Sequence, residues 1–172
     1  MITKGYLKQQ NELHSKTGYG SSGHYWLGHV LELAELTKAK TVLDYGCGKG
    51  TLGNYLHKYS DLKCTNYDPS TFPEKPGGTF DLVACLDVLE HIEPKQIARV
   101  LDDIRDRVGA GKVFAVISTR PATKFLDDGR NAHVLLRNYI WWKSILQGNF
   151  KMSRVRQFEG GFEVILSKKI EK

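Results

Sequence analysis

The amino-acid sequence predicts an α/β fold: a mostly parallel sheet with helices on both faces, an antiparallel C-terminal hairpin and about six strands. Three observations carry this. Short apolar segments of strand character alternate with longer segments whose apolar residues recur at helical spacing, the pattern of a sheet wrapped by helices. The run FDLVACL at 80–86 is apolar almost throughout, as in a strand covered on both faces. Near the C-terminus, two strand-like runs flank Gly160-Gly161, a pair that favours a hairpin.

The elements follow in order. Residues 1–23 are polar and glycine-rich (Gly18, Gly20, Gly23) and are expected as a flexible arm or lid. Residues 24–172 are the expected core, the whole chain forming one domain. Over 24–38, Leu27, Val30, Leu31 and Ala34 mark a helix. The run TVLDY at 41–45 is a strand that ends in glycines. Leu52, Leu56 and Tyr59 share one face of a helix over 49–59, and 62–67 form a second strand ended by Asp68-Pro69. Residues 69–79 hold three prolines and two glycines and form a loop. After the third strand, 80–86, Pro94 sits where a first helical turn tolerates it. Ile97, Val100, Leu101, Ile104 and Val108 then make an apolar stripe, closed by Gly109 and Gly111. The run KVFAVIS at 112–118 is the fourth strand and 119–134 a polar loop. Residues 135–147 form a helix, and 150–158 with 162–167 form the hairpin.

The chain has 172 residues, 41% hydrophobic and 26% charged, enough to bury a core without disulfide staples. Collagen-like, disordered and disulfide-scaffold classes are excluded. No apolar run approaches the ~18 residues of a membrane helix, and MITKGYLKQQ shows no signal-peptide stretch. A net charge of +6 favours anionic partners without naming one. Cys47, Cys64 and Cys85 lie in or beside strand segments with no CxxC spacing. They read as small core residues in a reducing, cytoplasmic compartment. Nothing in the sequence sets the oligomeric state.

The densest signal lies between the first strand and its helix: Asp44-Tyr-Gly46-Cys-Gly48-Lys-Gly50. Glycines let the backbone turn tightly and approach a ligand, and a helix N-terminus adds N–H groups and partial positive charge. Asp44 places a carboxylate there that repels a pyrophosphate and attracts an ammonium. Asp68 ends the next strand, where an acid accepts both hydroxyls of a ribose. The segments VLDYGCGKG, NYDP and FDLVACLDVLEHI resemble the motifs of class I S-adenosylmethionine-dependent methyltransferases, which have a Rossmann-like fold. That resemblance covers roughly residues 41–93, and the element order extends it to 24–167. It implies S-adenosyl-L-methionine as cofactor, with Asp44, Gly46, Gly48 and Gly50 holding its methionine part and Asp68 its ribose. Leu86 and Asp87 would line the cofactor and the methyl. The rival is a nicotinamide-type dinucleotide fold, since Gly48-Lys-Gly50-Thr-Leu-Gly53 satisfies GxGxxG, a weak pattern alone.

Methyl transfer needs the acceptor held in line, water excluded and a base for a hydroxyl or amine. The loops after strands three and four supply candidates. His91, beside Glu90, is one base; the alternatives are that Glu90 and His91 brace the following helix, or that Asp87, Glu90 and His91 bind a divalent ion, although no metal is expected. After strand four, Arg120, Arg130 and Asn131 are substrate-contact candidates with Glu90, the arginines suited to a carboxylate or phosphate. His133 is the second base. A plain solvated loop with an Asp-Gly turn competes with this. From the arm, Tyr6, His14, Tyr19 and Tyr25 are candidates to fold over the cofactor. Trp141-Trp142 reads as helix packing and Lys151, Arg154 and Arg156 as a solvated strand face. The expected function is methyl transfer to an O or N atom of a small metabolite or nucleotide. Its substrate is small and anionic or polyhydroxylated, and a nucleic acid is not favoured. The alternatives are cleavage of the sulfonium and methylation of nucleic acid. Only 13 positions lead from Asp68 to Asp81, too few for a helix and strand. The sheet should therefore lack one edge strand, leaving Phe72, Pro73 or Leu86 to wall the adenine.

Overall fold

The computed structural model describes residues 2–169. Its order of elements is α1 (Lys4–Ser15), a 3-10 turn (Ser22–Trp26), α2 (Leu27–Thr37), β1 (Thr41–Tyr45), α3 (Thr51–Tyr59), β2 (Lys63–Tyr67) and β3 (Leu82–Leu86). A second 3-10 turn (Leu89–His91), α4 (Ile97–Arg107), β4 (Lys112–Ser118), α5 (Tyr139–Asn149), β5 (Phe150–Phe158) and β6 (Gly161–Lys168) complete it. The strands form one six-stranded sheet in the order β2-β1-β3-β4-β6-β5. β1 pairs in parallel with β2 and β3, and β3 with β4; β6 is antiparallel to both β4 and β5. The expected class, hairpin and strand number are all present. Among the described residues no strand lies beyond β2, and residues 68–81 carry only a local Asp68–Phe72 bridge.

Alternation along the central strands sends their side chains to two cores. Leu43, Val83, Cys85, Ala115 and Ile117 pack with Val100, Leu101 and Ile104 of α4 and Trp142 and Leu146 of α5. Val42, Leu82, Ala84, Phe114 and Val116 pack with Val30 and Leu33 of α2 and Leu52 and Leu56 of α3. Asp81 fixes the entry side: its Oδ2 accepts hydrogen bonds from the Lys40 and Thr41 N–H groups at 2.8 and 2.9 Å. Those three acceptances hold the Asp81 carboxyl below its ordinary range, with the Thr41 hydroxyl as the third donor.

Three expectations need correction. Residues 4–15 are a helix, not a flexible arm: Thr3 caps it, and Tyr6, Gln10 and Leu13 are buried along one face. Leu13 and Tyr6 pack on Leu126 and Ala132 of the polar loop, which gives the helix a partner that its own segment does not contain. The helix expected at 135 starts at Tyr139, where the Asn138 side chain accepts from Trp141 N–H at 3.0 Å; residues 135–138 instead lead in as loop. The helix expected at 24 begins as the 3-10 turn at Ser22 and becomes α-helical at Leu27.

Candidate active site

The C-terminal ends of β1, β3 and β4 border a cavity of about 630 Å³. It lies where the strand order reverses, the ligand crevice of open α/β sheets. Residues 46–50 turn from β1 into α3 on one wall. Gly46 and Gly48 have φ of 77° and 53°, a region costly for L side chains. A Cβ on Gly48 would also lie 2.5 Å from Gly20 O, because the turn after α1 crosses directly over the loop. The loop's N–H groups are all used within the protein. Gly46 and Cys47 donate to Tyr67 O (2.7 and 3.1 Å), Lys49 to Gly20 O (2.7 Å) and Gly50 to Cys47 O (2.9 Å). Gly48 donates to Asp68 Oδ2 at 3.2 Å. A pyrophosphate needs such donors free, so the bonding of residues 46–50 argues against the dinucleotide reading.

What this wall offers instead is negative charge. Asp44 and Asp68 are both buried and both line the cavity. Burial, with Asp68 nearby, pushes the Asp44 carboxyl up to about 7. A ligand cation reverses that penalty. Asp68 also braces its own loop: Oδ1 accepts from the Ser70 and Thr71 N–H groups at 2.8 and 3.4 Å. Gly50 does not reach the cavity lining; it precedes α3 and faces Asn66 and Phe72. Leu86 lines the cavity, whereas Phe72 and Pro73 do not.

The opposite wall comes from the segment after β3. Asp87 has φ 54°, strained for a non-glycine residue. Its N–H continues the strand to Val116 O at 3.0 Å. Burial raises its carboxyl, and a hydrogen bond from Trp26 offsets part of the rise. Glu90 is fully buried. Its Oε1 accepts from Ser118 N–H at 2.8 Å, its Oε2 has no partner, and burial with Asp87 pushes its carboxyl up to about 8. His91 Nδ1 lies 2.9 Å from Ala132 O, which places the proton there and the lone pair on Nε2. Burial, then His133, holds His91 down to about 3, so the ring is neutral. Among the described residues, no group of three or more His, Cys, Asp and Glu side chains is arranged to hold a metal ion.

His133 meets His91 edge-on, ring centroids 4.7 Å apart. Its Nδ1 sits 2.6 Å from Arg120 O, again leaving Nε2 as the lone-pair nitrogen. Half-burial lowers its pKa from the ordinary value. Arg120 and His133 line the cavity; Arg130 and Asn131 do not. Arg130 turns away to pair with Asp128 at 2.7 Å. Asn131 holds the loop closed, accepting from the Ala122 and His133 N–H groups (both 2.9 Å) and donating to Ala122 O (2.8 Å). It positions His133 rather than facing a ligand.

Of the arm candidates, His14 and Tyr19 line the cavity. Tyr6 is buried beneath it, donating to His91 O at 2.5 Å, and Tyr25 stands 75% exposed outside. Gln10 was not anticipated. Tyr6, Gln10 and Leu13 do recur at helical spacing, but too few apolar residues accompany them to mark a helix. Gln10 Nε2, His14 Nδ1 and Glu90 Oε2 are buried without a partner, and all three residues line this one cavity. Buried polar atoms in a native fold are nearly always satisfied, so these mark where a polar ligand completes the site.

The family model described as a methyltransferase domain matches residues 21–158, and the chain belongs to that family. No curated protein matches the sequence. Among solved structures, the fold is similar to that of the 1,6-didemethyltoxoflavin-N1-methyltransferase of Burkholderia thailandensis, crystallised with 1,6-didemethyltoxoflavin and S-adenosylhomocysteine. The TM-score is 0.67 at 14% identity, over 87% of this chain and 80% of that one. It is also similar to DhpI in complex with SAH, with a TM-score of 0.67, 16% identity and coverage of 97% and 98%. The methyltransferase domain of a bacterial Hen1, CtHen1, matches with a TM-score of 0.62, 14% identity and coverage of 86% and 99%.

Proposed function

We propose that the chain transfers a methyl group from S-adenosyl-L-methionine to an O or N atom of a small metabolite or nucleotide by direct displacement. The observation that carries this is the wall built by Asp44, Asp68 and the glycine loop. It presents two buried carboxylates and no free N–H donor, which suits a ligand that is cationic near its amino-acid end. When bound, that cofactor supplies a methyl on a sulfonium, whose loss leaves a neutral thioether. Asp44 complements the ammonium, Asp68 the ribose hydroxyls, and Gln10 Nε2 is an unused donor for a carboxylate. Gly46, Gly48, Leu86 and Asp87 line the rest. The neighbour crystallised with didemethyltoxoflavin supports a small acceptor.

His133 is the base. Its Nε2 is free, its Nδ1 proton is fixed on Arg120 O, and half-burial keeps it neutral near pH 7. His91 is deeper and so depressed that it serves as a neutral hydrogen-bonding wall. Glu90 Oε2 and Arg120 meet the acceptor's polar groups. Three free cysteines fit a cytoplasmic setting, and no described helix is long and apolar enough to cross a membrane. The test is calorimetric titration with S-adenosylhomocysteine, followed by incubation with methyl-labelled donor and an acceptor panel. Micromolar product binding and label transferred to a small acceptor are expected. Absence of binding, or donor consumed equally without acceptor, overturns the reading.

A further inference from the structure

A second cleft of about 470 Å³ opens beside the first. Both are lined by Asp87, Ser118 and Arg120, so they meet at the side of the main cavity where His133 stands. Tyr25, Trp26, His29 and Phe158 bring rings to its other walls, with Arg156, Glu159 and Gly160 between them. Tyr25 is 75% and Phe158 39% exposed, and the Trp26 and Phe158 rings are 6.0 Å apart. Aromatic faces offer large, rigid contact area to a ligand ring, and Tyr and Trp are enriched at binding surfaces.

The charges in the cleft are unequal in availability. Arg156 is committed to Glu163, donating from Nε at 3.0 Å and from its terminal nitrogen at 2.8 Å. Asp87 takes the Trp26 hydrogen bond, and Glu159 sits on the hairpin turn. Arg120 differs: among the described residues its hydrogen bonds are all made by backbone atoms and its guanidinium forms no ion pair within 4 Å, although its charge is near enough to Asp87 to lower that carboxyl. Its aliphatic stem lies across Gly160, where a Cβ would come within 2.7 Å of Arg120 Cδ. The turn under it is anchored, since Thr119 N–H donates to Gly160 O at 2.9 Å. Among the described residues the guanidinium is thus a positioned fork with no hydrogen-bond acceptor of its own, between aromatic walls and the loop that carries His133.

We infer that this cleft holds the acceptor, and that the acceptor is an aromatic ring bearing an anionic group. The ring packs on Trp26 and Phe158, the anion meets Arg120, and the hydroxyl or amine to be methylated faces His133. The assignment of the reacting end rests on the methyl-transfer reading; the ring and anion contacts do not.

The test is ligand binding by saturation-transfer NMR and calorimetry. It uses the full chain, alone and saturated with S-adenosylhomocysteine, and three probes: 4-hydroxybenzoate, phenol and cyclohexanecarboxylate. The expected result is 4-hydroxybenzoate bound at least about tenfold more tightly than phenol, the size of a charge-assisted hydrogen bond, and at least about threefold more tightly than cyclohexanecarboxylate, the size of an aromatic ring contact. Arg120→Ala should erase the preference over phenol and Arg120→Lys restore part of it. Phe158→Ala, at the surface, should erase the preference over cyclohexanecarboxylate and leave product affinity unchanged. Equal binding of the three probes, or a preference that survives both Arg120→Ala and Phe158→Ala, overturns the inference. If S-adenosylhomocysteine fails to bind, the methyl-transfer reading falls, while the probe preferences on the chain alone still decide the cleft.

Discussion

At the scale of single residues, the site is governed by where burial leaves charge and protons. His133 has its Nδ1 fixed and its Nε2 open, so His133→Ala should lower kcat by about 10²–10⁴-fold, the usual share of a general base, with little change in product affinity. Because its pKa lies below the ordinary histidine value, the wild-type rate should fall only below about pH 6.5, and the variant should lose that acidic limb. Glu90 makes a second prediction. Its carboxyl titrates near 8 in the folded chain against about 4.3 unfolded. Between those values the native state holds the extra proton, so its contribution to stability is lost as pH rises. His91, held near 3, acts oppositely: its contribution is complete above about pH 6.5 and is lost as pH falls. His91 is common to both chains, so the melting temperature of Glu90→Gln minus that of wild type should grow from pH 5 to pH 8. A constant gap would show that Glu90 is ionised in the folded chain. Asp68→Ala should weaken S-adenosylhomocysteine at least about tenfold, as removal of a charged hydrogen-bond partner does; unchanged affinity in calorimetry would remove the ribose assignment.

At the scale of elements, α1 is the piece that composition hides. Its segment is polar, and only the contacts of Tyr6 and Leu13 with Leu126 and Ala132 make a helix there worthwhile. Leu13 is buried, and Leu13→Ala should cost about 2–5 kcal/mol by the usual cavity penalty. If α1 closes the cofactor cavity, the same variant should also weaken S-adenosylhomocysteine, since Gln10, His14 and Tyr19 line that cavity. Denaturation and calorimetry on one preparation separate the two effects. Much of the site was already legible as sequence. Asp44, Gly46, Gly48, Asp68, Leu86, Asp87, Glu90, His91, Arg120 and His133 all line one cavity, because motifs at strand ends are placed by the sheet itself. Arg130, Asn131 and Gly50 were not legible in the same way. A loop residue's side chain is aimed by local hydrogen bonds, Asp128 for Arg130 and Ala122 for Asn131, and no periodicity reports those.

At the scale of the whole molecule, the described residues carry no strand beyond β2, which leaves the Asp68 end of the cavity next to a loop, residues 69–81, rather than a covered sheet edge. Saturating the chain with product at 100 times its Kd should stabilise it by about 2.7 kcal/mol, read as a rise in melting temperature. Trp142, fully buried on the α5 side, is not among the residues that line the cavity, and Trp142→Ala should cost about 3–5 kcal/mol without changing the affinity of the folded fraction.

The sequence by itself determined the sheet, its two covered faces, the short passage from Asp68 to Asp81 and the glycine loop with its acids. Those follow from period, chain length and backbone sterics, which are local quantities. Only the tertiary structure decided that residues 4–15 become a helix, that every N–H of the glycine loop is already bonded, and that two histidines 42 positions apart share an edge-to-face contact. Each of these depends on a partner far along the chain, and burial energy, not local preference, sets the outcome.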